Sequence, residues 1–249
     1  MSRSTDSPDN TSPHGVSKDD PNRLVAFPGT RAPKHPPNNL PFQLTSFIGR
    51  EREMAEVKGL LADNCLLTLT GPGGCGKTRL ALQVANGLVE GFEDGVWLVE
   101  LASLTDPMLL PQTVASVLRV REQPGCLLTE TLSNYLKPKK TLLIWDNCEH
   151  LVEVCAALAD TLLRVCPNLH LLATSQEVLG VAGEIPYLVP SLSLPATRHL
   201  SPIEELPHYE AVRLFIERAV TVLPTLRLTD QNASAVAQMC QRLDGVPLA

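Results

Sequence analysis

Eight consecutive residues, Gly71-Pro72-Gly73-Gly74-Cys75-Gly76-Lys77-Thr78, carry the sharpest chemical signal in the chain. They satisfy GxxxxGK[ST] and lie directly after a compact apolar run, Leu66 to Thr70, and directly before an amphipathic helical pattern. Glycines let the backbone curl so that successive N–H groups point inward, and the N-terminus of the following helix adds positive partial charge. Such a cradle fits a polyphosphate. Gly73, Gly74, Cys75 and Gly76 would line it, Lys77 would reach the β and γ phosphates as a point charge, and the Thr78 hydroxyl would ligate Mg²⁺. The plain alternative is a glycine-rich strand-to-helix turn with a solvated lysine.

A loop of this kind needs a second metal-holding group, commonly an Asp at the end of a neighbouring buried strand. Thr141-Leu142-Leu143-Ile144-Trp145-Asp146 offers one, although an acid ending a core strand can also cap the next helix. Lys77 and Asp146 are therefore the candidate catalytic residues, and Thr78 and Asp146 the candidate metal ligands, Asp146 acting through water. The expected cofactors are ATP or ADP with Mg²⁺. Asn147 stands where many hydrolysing enzymes with such loops carry a second acid, and an amide cannot be a general base. Glu149 could reach a water or the metal shell, but an acid just ahead of a helix has an ordinary role at the positive helix end. His150, nearest the site of the six histidines, reads as a helix-surface or cap residue. Cys75 could make the loop sensitive to oxidation, and Trp97 and Trp145 read as core.

The elements that must position these residues follow from periodicity. Strand-like runs recur at Leu66–Thr70, Val96–Leu101, Thr141–Trp145 and Leu169–Ala173, and the last strand signal is at Ile185–Val189. Met54, Val57, Leu60 and Leu61 share a helical face, with Asp63-Asn64 as a stop. So do Leu80, Ala81, Val84, Ala85, Leu88 and Val89, and a further helix is expected from His150 to Val165. Strands alternating with helices predict an α/β fold with a parallel sheet. Two helical patterns then follow, Tyr209–Val222 and Asp230–Leu243. The chain stops at Ala249 directly after Gly245-Val246-Pro247-Leu248, which reads as a helical domain cut short.

Residues 1–40 hold seven of the 21 prolines among Ser, Asp and Asn, and read as a flexible tail. The expected division is a tail over 1–40, a nucleotide-binding α/β domain over 41–195 and a partial helical domain over 196–249. The tail has five basic and four acidic residues, leaving 16 against 23 and a net charge of −7 for the rest. An acidic folded part, with a whole-chain pI near 5.5, provides no general footprint for nucleic acid. MSRSTDSPDN lacks the apolar core of a signal peptide, and no stretch approaches the roughly 20 apolar residues of a membrane span. Seven cysteines without a CxxC pair suggest neither a disulfide framework nor a zinc site. A cytoplasmic protein is expected.

At the level of whole motifs the chain resembles the STAND class of signalling ATPases with an NB-ARC type nucleotide-binding domain, particularly bacterial members attached to LuxR/AfsR-type transcriptional regulators. The resemblance runs from about residue 40 to the end. It rests on Asn39-Leu40-Pro41 leading to Phe47-Ile48-Gly49-Arg50-Glu51, the phosphate loop, LLIWDNCEH at Leu142–His150 and LLATSQEVLGVAGE at Leu171–Glu184. Glu210–Ala219 and CQRLDGVPLA at Cys240–Ala249 add to it. It implies that Ile48 and Arg50 lie near the adenine and that Pro247 approaches the nucleotide from the helical domain. It also implies further domains, a winged helix and usually a repeat array, which close on ADP and open on ATP. The chain departs from the family at Thr174-Ser175-Gln176, where members usually carry an arginine that senses the γ-phosphate. Gln176 donates hydrogen bonds but no charge, which puts phosphate sensing in doubt.

These readings favour a regulatory switch that binds ATP or ADP, turns over slowly and engages protein partners or a second copy through its helical region. A fast ATPase and a vestigial interaction module are the rivals, and phosphate release and tightly bound nucleotide, respectively, would discriminate them.

Overall fold

The computed structural model describes residues 35–195 and 203–248. Most of the expected tail, residues 1–34, lies outside the described residues. Five parallel strands form one sheet in the order β2-β3-β4-β1-β5. They are β1 (Leu66–Thr70), β2 (Val96–Glu100), β3 (Thr141–Asp146), β4 (Leu169–Thr174) and β5 (Ile185–Leu188). Every residue of β1 and the first five of β3 are buried, which is why both read as unbroken apolar runs rather than alternating ones.

Alternation reappears as a division between two faces. Leu143 and Trp145 point into a core made with α3 (Leu110–Leu118), α4 (Leu128–Leu136) and α5 (Val152–Val165). Leu142 and Ile144 point into the opposite core, closed by α1 (Glu51–Asp63) and α2 (Lys77–Asn86). Helices on both faces and a strand order that reverses around β1 place a ligand crevice at the carboxyl ends of β1, β3 and β4. The fold is that of a P-loop NTPase.

Sequence and structure differ at three places. Residues 37–40, assigned to the tail by composition, lie along β2. Val96 N donates to Pro37 O at 3.1 Å, and the Asn39 amide satisfies both Leu98 O (2.8 Å) and Leu98 N (2.6 Å). A side chain that closes a strand edge leaves no periodic trace in the sequence. The second helix stops at Asn86, ahead of Gly87. Leu88 and Val89 therefore fall beyond it but still pack against the same core. The helix expected from His150 starts two residues later, at Val152.

Beyond β5, a third and smaller core joins Leu192, Leu206, Ala211, Val212, Val236, Ala237 and Cys240. It lies between α6 (Glu210–Val222) and α7 (Asp230–Arg242). Thr229 begins α7 with a reciprocal capping box to Asn232. Among the described residues no helix is long and apolar enough to cross a membrane.

Candidate nucleotide site

The phosphate loop joins β1 to α2 through residues in the left-handed region, with Gly74 at φ 78° and Gly76, the helix N-cap, at φ 96°. No side chain caps α2, so the first-turn N–H groups keep their donor capacity at the loop. Lys77 is only 8% exposed, and its ammonium donates to Gly71 O at 2.7 Å and Pro72 O at 3.1 Å. It is thus folded onto its own loop, where an anion would compete for the same donors.

Behind Lys77, three elements meet at Asp146. Its Oδ1 accepts a hydrogen bond from the Thr78 hydroxyl on α2 and another from the Thr174 hydroxyl at the end of β4, both at 2.6 Å. Thr174 in turn accepts from the backbone N–H of Asn147 at 2.9 Å, which holds Asn147 at φ 68°. Hydroxyl and carboxylate oxygens are the donor set that Mg²⁺ takes together with phosphate and water, so Thr78 and Asp146 fit that ion.

Arg50, 4% exposed and at φ 63°, approaches from the other side. Its Nη2 donates to Cys75 O at 2.5 Å and Pro190 O at 3.0 Å, while Nη1 is buried without a partner among the described residues. That nitrogen faces the loop, since a Cβ added at Gly76 would lie 3.4 Å from it. Burial pulls the Arg50 pKa down from its ordinary value, against the opposing charges of Glu210 and Glu53. The Arg50 backbone N–H donates to Glu210 Oε1 at 2.6 Å, and the other Glu210 oxygen accepts from Ser193 N at 3.0 Å.

The end of α7 supplies the remaining wall. Asp244 (φ 50°) and Gly245 (φ 65°) reverse the chain, and Leu192 N donates to Gly245 O at 3.0 Å. Val246 and Leu248 then reach the loop, so that a Cβ at Gly74 would lie 3.1 Å from Leu248 Cβ. At the mouth, Arg79 donates to Thr45 Oγ1, Thr45 O and Ser46 O, and the Ser46 hydroxyl bonds to Glu217 of α6.

These residues enclose one cavity of about 430 Å³. Ile48, Arg50, Gly73, Gly74, Gly76, Lys77, Thr78 and Pro247 all line it. Two expected residues do not. Asp146 lies behind the Thr78 and Thr174 hydroxyls. The Cys75 side chain turns into the core at 1% exposure, so only its backbone belongs to the loop and its thiol is not a solvent-facing one. Periodicity and motif reading did not single out Thr174 or Arg218, both of which line the cavity. Thr174 stood in the sequence only as the residue before Ser175-Gln176, and Arg218 only inside the Glu210–Ala219 motif. Gln176, outside the cavity lining, donates from Nε2 to Glu149 Oε1 at 3.3 Å.

The fold is that of P-loop NTPases with a phosphate-loop cavity at the carboxyl ends of its strands, and the chain is similar to proteins of that fold. Residues 62–180 match the AAA domain family. The chain is 41% identical over 206 residues to Mycobacterium tuberculosis Rv0894, covering 83% of this chain and 49% of that protein. It is 42% identical over 193 residues to Rv0890c of the same organism, provisionally named an HTH-type transcriptional regulator, covering 78% of this chain and 20% of that one. The chain therefore spans half or less of the length of these relatives. Among solved structures, a STAND protein with a tetratricopeptide repeat sensor from Pyrococcus horikoshii superposes with a TM-score of 0.52 at 14% identity. It covers 81% of this chain and 28% of that one. A Walker-type ATPase from Pyrococcus abyssi superposes with 0.53 at 16% identity, covering 81% and 65%.

Proposed function

We propose that this chain is the nucleotide-binding part of a STAND-type regulatory switch with an NB-ARC type domain, which holds ADP or ATP with Mg²⁺ and hydrolyses ATP slowly. One observation carries the reading: the cavity at the phosphate loop is walled on one side by the loop and on the other by Leu192, Leu214, Arg218, Pro247 and Leu248 of the helical segment. A nucleotide placed there touches both parts, so its phosphate state can bias how they pack. Four cationic side chains, Arg50, Lys77, Arg79 and Arg218, line the cavity, as suits a polyphosphate. Asn147, in the usual place of a base, offers its amide to His150 Nδ1 at 3.5 Å, consistent with slow chemistry. The relative named as a transcriptional regulator supports a signalling output, which would be delivered by regions outside this chain or by partners docking on the helical segment.

Purification without added nucleotide, followed by extraction and calorimetric titration with ADP and ATP, tests the assignment. Tight adenine nucleotide binding with turnover well below roughly 1 per second is expected. Absence of nucleotide binding would remove the switch reading, and rapid steady-state phosphate release would replace it with that of an ordinary ATPase.

A further inference from the structure

Arg79 lines the cavity, yet its hydrogen bonds go to protein oxygens. Nη1 donates to Thr45 Oγ1 at 2.7 Å, and Nη2 to Thr45 O at 2.9 Å and Ser46 O at 3.0 Å. All three acceptors belong to a short strap, residues 45–50, that also brings Ile48 and Arg50 to the cavity wall. Arg79 itself stands in the first turn of α2, one residue beyond Thr78. The strap is pinned to α6 at two points: the Ser46 hydroxyl donates to Glu217, and the Arg50 N–H to Glu210 Oε1 at 2.6 Å. Glu210 and Glu217 are nearly two whole turns apart, so both lie on one face of α6, roughly 10 Å from each other. Four positions of extended chain, from Ser46 to Arg50, reach at most about 13 Å, and the left-handed Gly49 and Arg50, at φ 69° and 63°, shorten that reach. The spacings match with the order reversed, so strap and helix run antiparallel. Ile48, midway along the strap, and Leu214, midway between the glutamates, both line the cavity.

Resting on the nucleotide-binding reading above, we propose that Arg79 is a positioning residue: it ties the Ser46 end of the strap to the first turn of α2 and, through the Ser46–Glu217 bond, fixes α6 over the bound nucleotide. Its charge adds to the field of the cavity, but its effect on affinity is exerted through Glu217 and not through a phosphate contact. Thr45 and Ser46 are exposed, and bonds made in water stabilise a fold little, so the tie serves the placement of α6 more than the stability of the sheet. Each end of α6's inner face has its own pin, and Arg79 governs only the one at Glu217.

The test titrates the full chain, Arg79→Ala, Glu217→Ala and the double variant with ADP and with ATP in the presence of Mg²⁺ by calorimetry. Arg79 and Glu217 are linked through residue 46, so if both act through one pin, removing the second costs nothing further. Each single variant is expected to lose about 5-fold in affinity, equally for ADP and ATP, and the double variant also about 5-fold rather than the roughly 25-fold of independent sites. Ser46→Ala should reproduce Glu217→Ala. Glu217→Gln keeps an acceptor for the Ser46 hydroxyl and gives up only the charge that lies 4.0 Å from Arg218, so it should bind like the parent. Losses that multiply in the double variant overturn the proposal, as does a loss in Arg79→Ala that is larger for ATP than for ADP, which would put the guanidinium on the γ-phosphate. Glu217→Gln as weak as Glu217→Ala also overturns it, assigning the effect to the ion pair with Arg218. Parent affinity in both single variants overturns it while leaving the nucleotide site intact, and a parent that binds neither nucleotide removes both.

Discussion

The Lys77 ammonium has two backbone acceptors on its own loop, so a bound phosphate must draw it away from Gly71 O and Pro72 O. The exchange is favourable because the new partner is charged, and charge-assisted hydrogen bonds are about twice as strong as neutral ones. Lys77→Ala should therefore weaken ATP affinity by roughly 2 kcal/mol, about 30-fold, with little change in thermal stability. Titration calorimetry with a parallel melting curve checks this, and unchanged affinity would count against the site. Thr174 makes a different prediction, because its hydroxyl both donates to Asp146 and accepts from Asn147 at 1% exposure. Thr174→Val keeps the shape but leaves a partly buried N–H without its acceptor, at a cost of about 1 kcal/mol in urea unfolding. It should also blunt the Mg²⁺ dependence of ATP binding, because Asp146 loses one of the two hydroxyls that orient it. A variant as stable as the parent would show that water substitutes freely for the hydroxyl.

At the level of elements, the joint between the start of α1 and the start of α6 is one of the places where the sheet and the helical segment meet. Gly49 has φ 69°, and a Cβ there would run into the Glu210 carboxylate that holds the Arg50 N–H. Gly49→Ala should cost about 1–3 kcal/mol, combining left-handed strain with displacement of Glu210. Glu210→Ala should leave the sheet intact but release α6, seen as faster proteolysis within residues 206–248 and weaker ADP binding. Equal cleavage rates would make the contact incidental. The sequence made some of this legible and hid the rest for a physical reason. The strands β1, β3 and β4 are buried on both faces, so burial wrote itself as continuous apolar runs, and glycine with lysine marked the loop between β1 and α2. The short helices α3 and α4 between β2 and β3 were only a generic helical pattern. The Asn39 clamp on Leu98, the Thr174 bond to Asp146 and the Glu210 bond to Arg50 span 59, 28 and 160 residues, and no local period encodes such pairs. The approach of Ile48, Arg50 and Pro247 to one cavity was expected only from motif resemblance, because it depends on the same long-range pairing.

Across the whole molecule, stability is distributed unevenly, and the nucleotide cavity lies where the strong and weak parts meet. Among the described residues, the two cores flanking the sheet contain most of the fully buried side chains, whereas the core between α6 and α7 has seven buried residues, three of them Ala or Cys. Val222 at 88% and Leu248 at 82% exposure leave apolar surface on this part unburied. A region with so little buried surface opens locally at lower free energy than the sheet, and its amides should exchange faster. Ligand contacts at Leu192, Leu214, Arg218, Pro247 and Leu248 add to the closed form of this weak part, whereas the sheet beneath the phosphate loop is already secure. At a concentration 100 times Kd, ADP should stabilise the bound state by about 2.7 kcal/mol. Most of that gain should appear as slowed hydrogen exchange across residues 206–248 rather than in β1, β3 and β4, whose opening is already rare. A non-hydrolysable ATP analogue should protect 206–248 less than ADP does, if phosphate state sets the packing of the two parts. Hydrogen exchange on the free, ADP-bound and analogue-bound chain separates the outcomes. Protection confined to the phosphate loop, identical for both nucleotides, would mean that this molecule binds nucleotide without transmitting its state.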